Sequence, residues 1–252
     1  MSKFEIKPPD VELPWKLTGS LPDGFDTNVL PSPQKGFMIS ICGGRNTGKS
    51  VVTYNLLQHY AGCFDGIYVF SPTAKLQDPT ISPMATGIDE DSYFETIDED
   101  VILDLMKQQE QEKKKYDKGN LRQKFLSRYL LVFDDCISCE GFNTQKLSGI
   151  LNQLAFKGRH FRISTIITTQ AYKALPKKFR VNIPNWIFMK TYNEGERKAI
   201  SEEQSNTMSE KQFNSLFDKA IEDEYSFFYV FLDAPDKKTC FRKNLTNILK
   251  IN

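Results

Sequence analysis

Short apolar runs alternate along the chain with longer segments of helical or polar character. Runs rich in β-branched and aromatic residues predict buried strands at 37–42, 66–70, 129–133, 163–169 and 186–189. The segments between them predict helices at 51–57, 100–115 and 144–156. Because buried strands that alternate with helices form parallel sheets with helices on both faces, this pattern predicts an α/β fold.

The two ends of the chain have a different character. The first 35 residues hold six of the 12 prolines and show no sustained periodicity, which predicts an extended Pro-rich arm, 1–35, before one large domain, 36–252. Within that domain, residues 73–124 read as an acidic and charged insertion. Residues 191–252 predict helices at 194–203 and 209–221, then an antiparallel hairpin made by 225–232 and 239–242.

Charge is balanced over the whole chain but uneven along it. The 252 residues carry 33 basic and 32 acidic side chains, so any contact with nucleic acid must come from a local basic surface. Residues 88–112 are strongly acidic and predict a solvated helix face. Residues 157–180 contain seven Lys or Arg and no acid; this block is either a functional surface or another solvated face.

The cysteines and the hydropathy pattern limit the class of protein. Five cysteines without a signal peptide indicate free thiols in a reducing compartment. Cys136 and Cys139 have C-x-x-C spacing, but the only histidines, His59 and His160, are not spaced as partner ligands, so a zinc site is not expected. No apolar run approaches the 18 residues of a membrane span.

A phosphate-binding motif follows the first predicted strand. Residues 43–50 fit the pattern G-x-x-x-x-G-K-[ST] and lead into a predicted helix, the context that a P-loop (Walker A) requires. Glycines let the backbone N–H groups approach phosphate oxygens, Lys49 would reach the β- and γ-phosphates, and Ser50 would ligate Mg²⁺. The expected nucleotide-binding residues are Gly43, Gly44, Arg45, Asn46, Thr47, Gly48, Lys49, Ser50 and Val51. A chance match by a glycine-rich turn is the alternative.

Two acidic residues directly follow the predicted strand 129–133. Polar residues that end parallel strands converge at the ligand-binding edge of the sheet. Asp134 is therefore expected to hold Mg²⁺, and Asp135 to orient and deprotonate the attacking water. Glu is the usual residue at the second place, and a simple acidic turn is the alternative.

Further candidates surround the next strand, 163–169. Gln170 ends this strand and could contact the γ-phosphate or the lytic water, or it could only cap the strand. Hydrolysis at such sites commonly needs an arginine from a neighbouring subunit, for which Arg159 and then Arg162 are the candidates. Either arginine could instead contact DNA phosphate or the end of a helix. No role is assigned to His160.

Taken together, these segments resemble the genome-packaging ATPases of poxviruses, other large DNA viruses and virophages, in the FtsK–HerA branch of P-loop ATPases. The matching segments are residues 43–50, 69–72, 130–135, 158–160 and 164–170. The resemblance implies a RecA-like parallel sheet, ATP and Mg²⁺ as ligands, and a homo-oligomeric ring that pushes double-stranded DNA into a preformed capsid. It also implies a capsid or membrane component of the virion as a partner at the packaging vertex, and a location in the virion or the viral factory of the host cytoplasm.

DNA contact in such a ring would be independent of sequence and sensitive to salt. A candidate surface is the group Lys173, Lys177, Lys178 and Arg180. Two other functions stay open at this point: a P-loop nucleotide kinase, and a module that binds ATP without turnover. A GTP switch would need an N-K-x-D motif, which the sequence lacks, and a terminase would need a nuclease domain for which too few residues remain.

Overall fold

The computed structural model describes residues 25–72, 90–119, 126–136, 145–205 and 208–250. They form two compact units. The first unit contains Phe25, Ser32–Phe37 and the described residues from Ser50 to Ile166; the second contains Asp26–Pro31, Met38–Lys49 and the described residues from Ile167 onward. The strand at residues 163–169 thus contributes its first four residues to one unit and its last three to the other.

The strands and helices follow one another in this order. The first group is β1 Met38–Cys42, α1 Lys49–His59, β2 Gly66–Phe70, β3 Tyr93–Phe94, α2 Glu99–Asp117, β4 Tyr129–Phe133 and α3 Gln145–Phe161. The second group is β5 Ile163–Thr169, α4 Lys177–Arg180, β6 Asn185–Phe188, α5 Glu194–Gln204, α6 Glu210–Ala220, β7 Phe228–Phe231, β8 Phe241–Lys243 and β9 Asn247–Ile248.

In the first unit the strands pair in the order β3-β2-β4-β5. Strand β2 is parallel to both β3 and β4, with Gly66 opposite Tyr129 and Phe70 opposite Phe133. The apolar residues of β4 from the second position onward are fully buried, as expected for a strand covered on both faces. The register places the ends of β2 and β4 together, and with them the residues that follow each strand.

In the second unit the strands pair in the order β5-β1-β6-β7-β8-β9. Strands β1 and β6 are parallel, whereas β6, β7, β8 and β9 pair antiparallel in succession. A cluster of aromatic rings forms the core of this unit; its members are Trp186, Phe188, Phe213, Phe217 and Phe228. Helix α6 begins with a capping box in which Ser209 and Gln212 bond reciprocally.

The architecture confirms the predicted α/β class with a mainly parallel sheet and a C-terminal antiparallel hairpin. Three strands have the predicted bounds, namely β2, β4 and β5. Helix α3 is longer than predicted because Gly158 lies inside it and does not end it. A Cβ atom at Gly158 would lie 3.1 Å from the carbonyl oxygen of Ile163, so the close backbone approach favours glycine there.

Parts of the predicted organisation lie outside the described residues. These parts are 1–24 of the arm, 73–89 and 120–125 around the insertion, and Cys139. Within residues 25–35, Leu30 is buried and the guanidinium of Arg242 donates to the carbonyl oxygen of Asn28. The boundary between arm and domain at residue 35 stays a prediction.

The cysteines of the described ranges are buried free thiols: Cys42, Cys63, Cys136 and Cys240. Burial raises the pKa of Cys42 strongly and that of Cys63 to about 12, so both stay protonated at neutral pH. Among the residues that the structure describes, no cluster of His, Cys, Asp and Glu could hold a metal by itself. None of the helices in the described ranges is long and apolar enough to cross a membrane.

Candidate nucleotide site

The phosphate-binding loop leaves the second unit's sheet between two neighbouring strands. The backbone N–H of Gly43 donates to the carbonyl oxygen of Thr169 at 3.0 Å, and the N–H of Met189 donates to that of Cys42 at 2.8 Å. These bonds fix the point at which β1 ends and the loop begins. The loop therefore starts from a rigid edge, at the carboxyl ends of parallel strands, where α/β proteins bind ligands.

Glycine is required at both ends of the loop. A Cβ atom at Gly43 would lie 2.5 Å from the Cβ of Met189, and Gly48 has a φ of +93°, which favours glycine. Between them Asn46 has a φ of 59°, in the left-handed region. The hydroxyl of Thr47 donates to the carbonyl oxygen of Gly44 at 2.9 Å and closes the turn. The loop thus forms a cradle that side chains would fill, the shape that backbone binding of phosphate needs.

Lys49 begins α1 and its side chain turns back over the loop. Its ammonium group donates to the carbonyl oxygen of Gly44 at 2.9 Å, and only 7% of the residue is exposed. A cation held beside the loop's N–H groups is the charge that a triphosphate needs. In the first unit, Ser50 is partly buried and Val51 is 52% exposed, in the first turn of α1.

The acidic pair lies at the end of β4 in the first unit. The N–H of Asp134 donates to the carbonyl oxygen of Phe70 at 2.8 Å, and the hydroxyl of Ser71 donates to its carboxylate at 3.4 Å. The thiol of Cys136 also donates to Phe70, at 2.8 Å. Asp134 is 9% exposed. The carboxylate expected to hold Mg²⁺ is therefore locked to the neighbouring strand end by backbone and side-chain bonds.

Asp135 has a backbone conformation that few residues adopt. Its φ is 48°, in the left-handed region, which costs a non-glycine residue about 1–3 kcal/mol when it is sustained by its surroundings. Asp and Asn tolerate this region better than most residues. Asp135 is also less buried than Asp134. The turn thus presents two adjacent carboxylates in different environments, one fixed in the interior and one nearer to solvent.

Gln170 is exposed directly after a fully buried strand. The hydroxyl of Thr169 donates to the carbonyl oxygen of Ala171 at 2.7 Å and accepts from the Ala171 N–H at 3.3 Å. Thr169 therefore caps the end of β5. Whether Gln170 has a catalytic or a capping role stays a prediction.

Arg159 and Arg162 differ in how they are held. Arg159 is exposed in the last turn of α3, whereas Arg162 has a φ of 54° and donates from its Nη1 to the carbonyl oxygen of Leu126 at 3.1 Å. Desolvation, reinforced by the nearby Arg128 cation, lowers the pKa of Arg162. Arg162 is therefore held by a contact inside its own unit. Of the two arginines, Arg159 is the exposed one.

Arg159 lies near the start of strand β4, whereas the acidic turn of the same chain follows the end of that strand. The N–H of Tyr129, the first residue of β4, donates to the carbonyl oxygen of Arg162 at 3.1 Å. Asp134 follows the last residue of the same strand. The five-residue strand between them spans roughly 15 Å at about 3.3 Å per residue. Arg159 thus cannot serve the acidic pair of its own chain.

A cationic groove of about 520 Å³ surrounds Arg159 in the first unit. Its basic lining side chains are Lys35, Lys113, Arg159, His160 and Arg162. Asp117 is the acid among the residues that line it. This edge of the unit carries a net positive charge and suits contact with an anion or an acidic partner.

The expectation that Arg180 belongs to an exposed DNA-facing surface is wrong. Arg180 is 9% exposed, and its guanidinium donates twice to the Glu203 carboxylate, each time at 2.7 Å. A third donor reaches the carbonyl oxygen of Leu175 at 2.8 Å. A partner 23 residues away in the sequence neutralises this charge, so only Lys173, Lys177 and Lys178 of the group are exposed.

Replacing Arg180 by methionine is expected to lower the free energy of unfolding by about 3 kcal/mol, since it leaves a mostly buried carboxylate without its partner. The matched control, Lys178→Met, removes the same charge from an exposed site and should change stability by less than about 0.5 kcal/mol. Urea unfolding at pH 7 measures both. Equal losses in the two variants would contradict the buried ion pair.

The same pair predicts a pH dependence. The Arg180 guanidinium lowers the pKa of Glu203 below its ordinary value. A depressed carboxylate pKa stabilises the fold above the unfolded value of about 4.3, and the gain is lost as the pH falls through the folded value. The difference in stability between Arg180→Met and the parent should therefore shrink below about pH 4.

Three residues at the site have no role in the sequence-based prediction: Ser71, Met189 and Tyr225. Ser71 is bonded to Asp134, Met189 packs on the loop glycines, and a ring carbon of Tyr225 lies 3.4 Å from the place of a Cβ on Gly48. Ser71 follows an apolar strand and could have been found by its position. Nothing in the sequence marks Met189 or Tyr225.

Solved structures with a similar fold come from several kinds of protein. The pCW3 conjugation coupling protein TcpA, solved with ATPγS, has a TM-score of 0.56 at 17% identity over 86% of this chain and 62% of its own. The genome packaging NTPase B204 of Sulfolobus turreted icosahedral virus 2, also solved with ATPγS, has a TM-score of 0.52 at 14% identity. The match covers 85% of this chain and 99% of B204. EssC of Geobacillus thermodenitrificans has a TM-score of 0.53 at 18% identity. The match covers 67% of this chain and 34% of the EssC chain. These likenesses confirm the RecA-like fold.

Among curated protein sequences, none matches this chain. The family model described as poxvirus A32 protein matches residues 24–232, which is most of the 252-residue chain and includes the loop, the acidic pair, Arg159 and Gln170. The chain therefore belongs to the poxvirus A32 protein family, and with it to the viral DNA-packaging ATPases.

Proposed function

We propose that this protein hydrolyses ATP with Mg²⁺ to move double-stranded DNA, independently of sequence, into a preformed capsid. The observation that carries the proposal is that the second unit has a glycine cradle with the buried Lys49, and the first unit has the buried carboxylate of Asp134. Each set of groups lies at the carboxyl end of its own parallel strands. Membership of the poxvirus A32 protein family supports packaging as the use of that chemistry.

The residues present fit a magnesium–triphosphate ligand. The cradle offers backbone N–H groups, Lys49 would bind the β- and γ-phosphate oxygens, and Ser50 and Asp134 would hold the metal. Bound Mg²⁺ would neutralise charge on the phosphate oxygens. Asp135 would accept the proton of a water whose oxygen attacks the γ-phosphorus, while the bond to the β–γ bridging oxygen breaks and ADP leaves. Gln170 would orient that water.

We infer further that Arg159 completes this site from a neighbouring subunit. Arg159 is exposed, whereas the acidic pair of its own chain lies at the other edge of the sheet. A guanidinium supplied in trans stabilises charge on the transferred phosphoryl group. Such an arrangement needs a head-to-tail contact, and head-to-tail contacts form a closed ring when the rotation between subunits closes, so the arrangement is compatible with a homo-oligomeric ring.

DNA would be gripped by exposed lysines of each subunit. Lys173, Lys177 and Lys178 remain exposed in the second unit, and repetition around a ring multiplies their charge. Each subunit then binds weakly, as grip and release require. A capsid or membrane component at the packaging vertex would hold the ring in place, in the virion or the viral factory.

ATP turnover measured with and without long duplex DNA tests the proposed function. We expect DNA to stimulate turnover several-fold and the stimulation to fall steeply between about 50 and 200 mM salt, as phosphate contacts predict. The double variant Lys177→Ala/Lys178→Ala should lose most of the stimulation. The control Lys211→Ala/Lys219→Ala removes the same charge from exposed sites on α6 and should keep it.

Other outcomes of this assay would favour the competing functions. Transfer of phosphate to a small acceptor, with no effect of DNA, would favour a nucleotide kinase. Tight nucleotide binding without any turnover would favour a binding module. DNA stimulation that is equal in both lysine double variants would remove the lysine surface from the proposal.

A further inference from the structure

The ring of Tyr225 lies beside the phosphate-binding loop within the second unit. Its Cδ1 is 3.4 Å from the place that a Cβ on Gly48 would take, yet 65% of the residue is exposed. Strand β7 runs antiparallel to β6, with Phe228 opposite Phe188. Tyr225 precedes β7, so it lies at the same edge of the sheet as the loop that follows β1. Tyr225 therefore lies next to the loop and is largely exposed to solvent.

The backbone of Tyr225 adopts an energetically unfavourable conformation. Its φ is 59°, in the left-handed region, where a bulky aromatic residue is uncommon and glycine would be unstrained. The turn is fixed on its far side, since the N–H and the hydroxyl of Ser226 both donate to the carbonyl oxygen of Asp223, at 3.3 and 2.8 Å. The N–H of Phe227 donates to the side-chain oxygen of Asn244 at 3.2 Å. The fold therefore holds an exposed aromatic ring in a strained position.

We propose that Tyr225 stacks on the purine base of the nucleotide whose phosphates the loop binds. A largely exposed aromatic ring beside a triphosphate site suits binding of a base, because stacking uses the face of the base and tolerates either purine. Tyr225 is thus a binding residue for the nucleoside part of the ligand. The inference rests on the proposed nucleotide site and adds to it a contact that phosphate alone cannot make.

The inference separates binding of the base from binding of the phosphates. Substituting Tyr225 by leucine keeps apolar bulk against Gly48 but removes the aromatic face, whereas phenylalanine keeps the face and loses only the hydroxyl. Tyr192 is another exposed tyrosine of this unit, and its replacement by leucine is the matched control.

Calorimetric titration with a non-hydrolysable ATP analogue and with inorganic tripolyphosphate, both with Mg²⁺, tests the inference. We expect Tyr225→Leu to weaken the ATP analogue about tenfold and tripolyphosphate by less than about twofold. Tyr225→Phe and Tyr192→Leu should bind both ligands as the parent does. The GTP analogue should lose about as much affinity as the ATP analogue. Thermal unfolding of each variant checks that the fold is kept.

Several results would overturn the stacking role. Equal weakening of both ligands by Tyr225→Leu would mean that the ring only supports the loop, and unchanged affinity for the ATP analogue would mean that the ring contributes nothing. In either case the parent would still bind and hydrolyse ATP, so the proposed function would stand. A parent protein that binds neither ligand would overturn the nucleotide site itself.

Discussion

Replacing Lys49 by alanine is expected to lower kcat/KM for ATP on the order of 10³-fold and to weaken nucleotide binding as well. The ammonium lies beside the glycine cradle, where a charge aimed at the phosphate oxygens acts in a largely water-excluded place. Lys49→Arg should restore little activity, because the planar guanidinium is larger and the position is only 7% exposed. Initial rates of phosphate release measure the effect.

The control for this prediction is Lys211→Ala, which removes the same charge from an exposed site on α6 and should keep parental turnover. Unfolding curves check that the Lys49→Ala protein is folded. If the Lys49→Ala protein hydrolysed ATP within tenfold of the parent rate, the phosphate-binding role of the loop would be wrong.

Mixing two inactive variants is expected to recover activity if Arg159 acts in trans. Asp135→Asn removes the base and Arg159→Ala removes the cation, and each alone should reduce turnover by about 10³-fold or more. At a one-to-one ratio, roughly a quarter of head-to-tail contacts pair an intact Asp135 with an intact Arg159, so turnover should rise to a similar fraction of the parent value.

Three control experiments test whether Arg159 acts from a neighbouring subunit. His160→Ala changes the adjacent exposed side chain and should keep parental turnover, whereas Arg159→Lys should stay poor because it lacks the planar fork. A mixture of Arg159→Ala with the double variant Asp135→Asn/Arg159→Ala should recover nothing. Absence of recovery in the first mixture, with both variants folded and oligomeric, would remove Arg159 from the site.

The core of the fold could be predicted from the sequence because each central strand is a self-contained signal. Strands β4 and β5 are unbroken apolar runs closed by polar residues, and their observed bounds equal the predicted ones. The two-residue strands β3 and β9 could not be predicted, since so short a segment has no periodicity and is defined only by its partner strand.

Glycine gave both a correct and a wrong local prediction. The loop glycines were found because their spacing belongs to a motif with a known geometry. The predicted helix 144–156 ends before Gly158, yet helix α3 continues through this glycine to Phe161. Its role is to let the backbone of Ile163 come close, and sequence alone does not distinguish a glycine that ends a helix from one that makes room beside it.

The sequence does not show which distant residues meet in the fold. Arg180 belongs to a basic run, but folding brings it to Glu203, and the two neutralise each other in the interior. Tyr225 gave no signal, because one aromatic residue before a predicted strand is ordinary and its place beside Gly48 depends on long-range pairing of β7. Contacts between distant segments are what the sequence pattern leaves out.

The residues of the proposed site fall into two groups, one buried and one exposed. Lys49 and Asp134 are buried, and each is bonded to the main chain: the Lys49 ammonium to the Gly44 carbonyl oxygen, and the Asp134 N–H to the Phe70 carbonyl oxygen. Gln170 and Arg159 stand on the surface, where a side chain can exchange one neighbour for another at little energetic cost. In the proposed ring, we therefore expect these exposed groups to couple hydrolysis in one subunit to its neighbour, while the buried groups keep their positions.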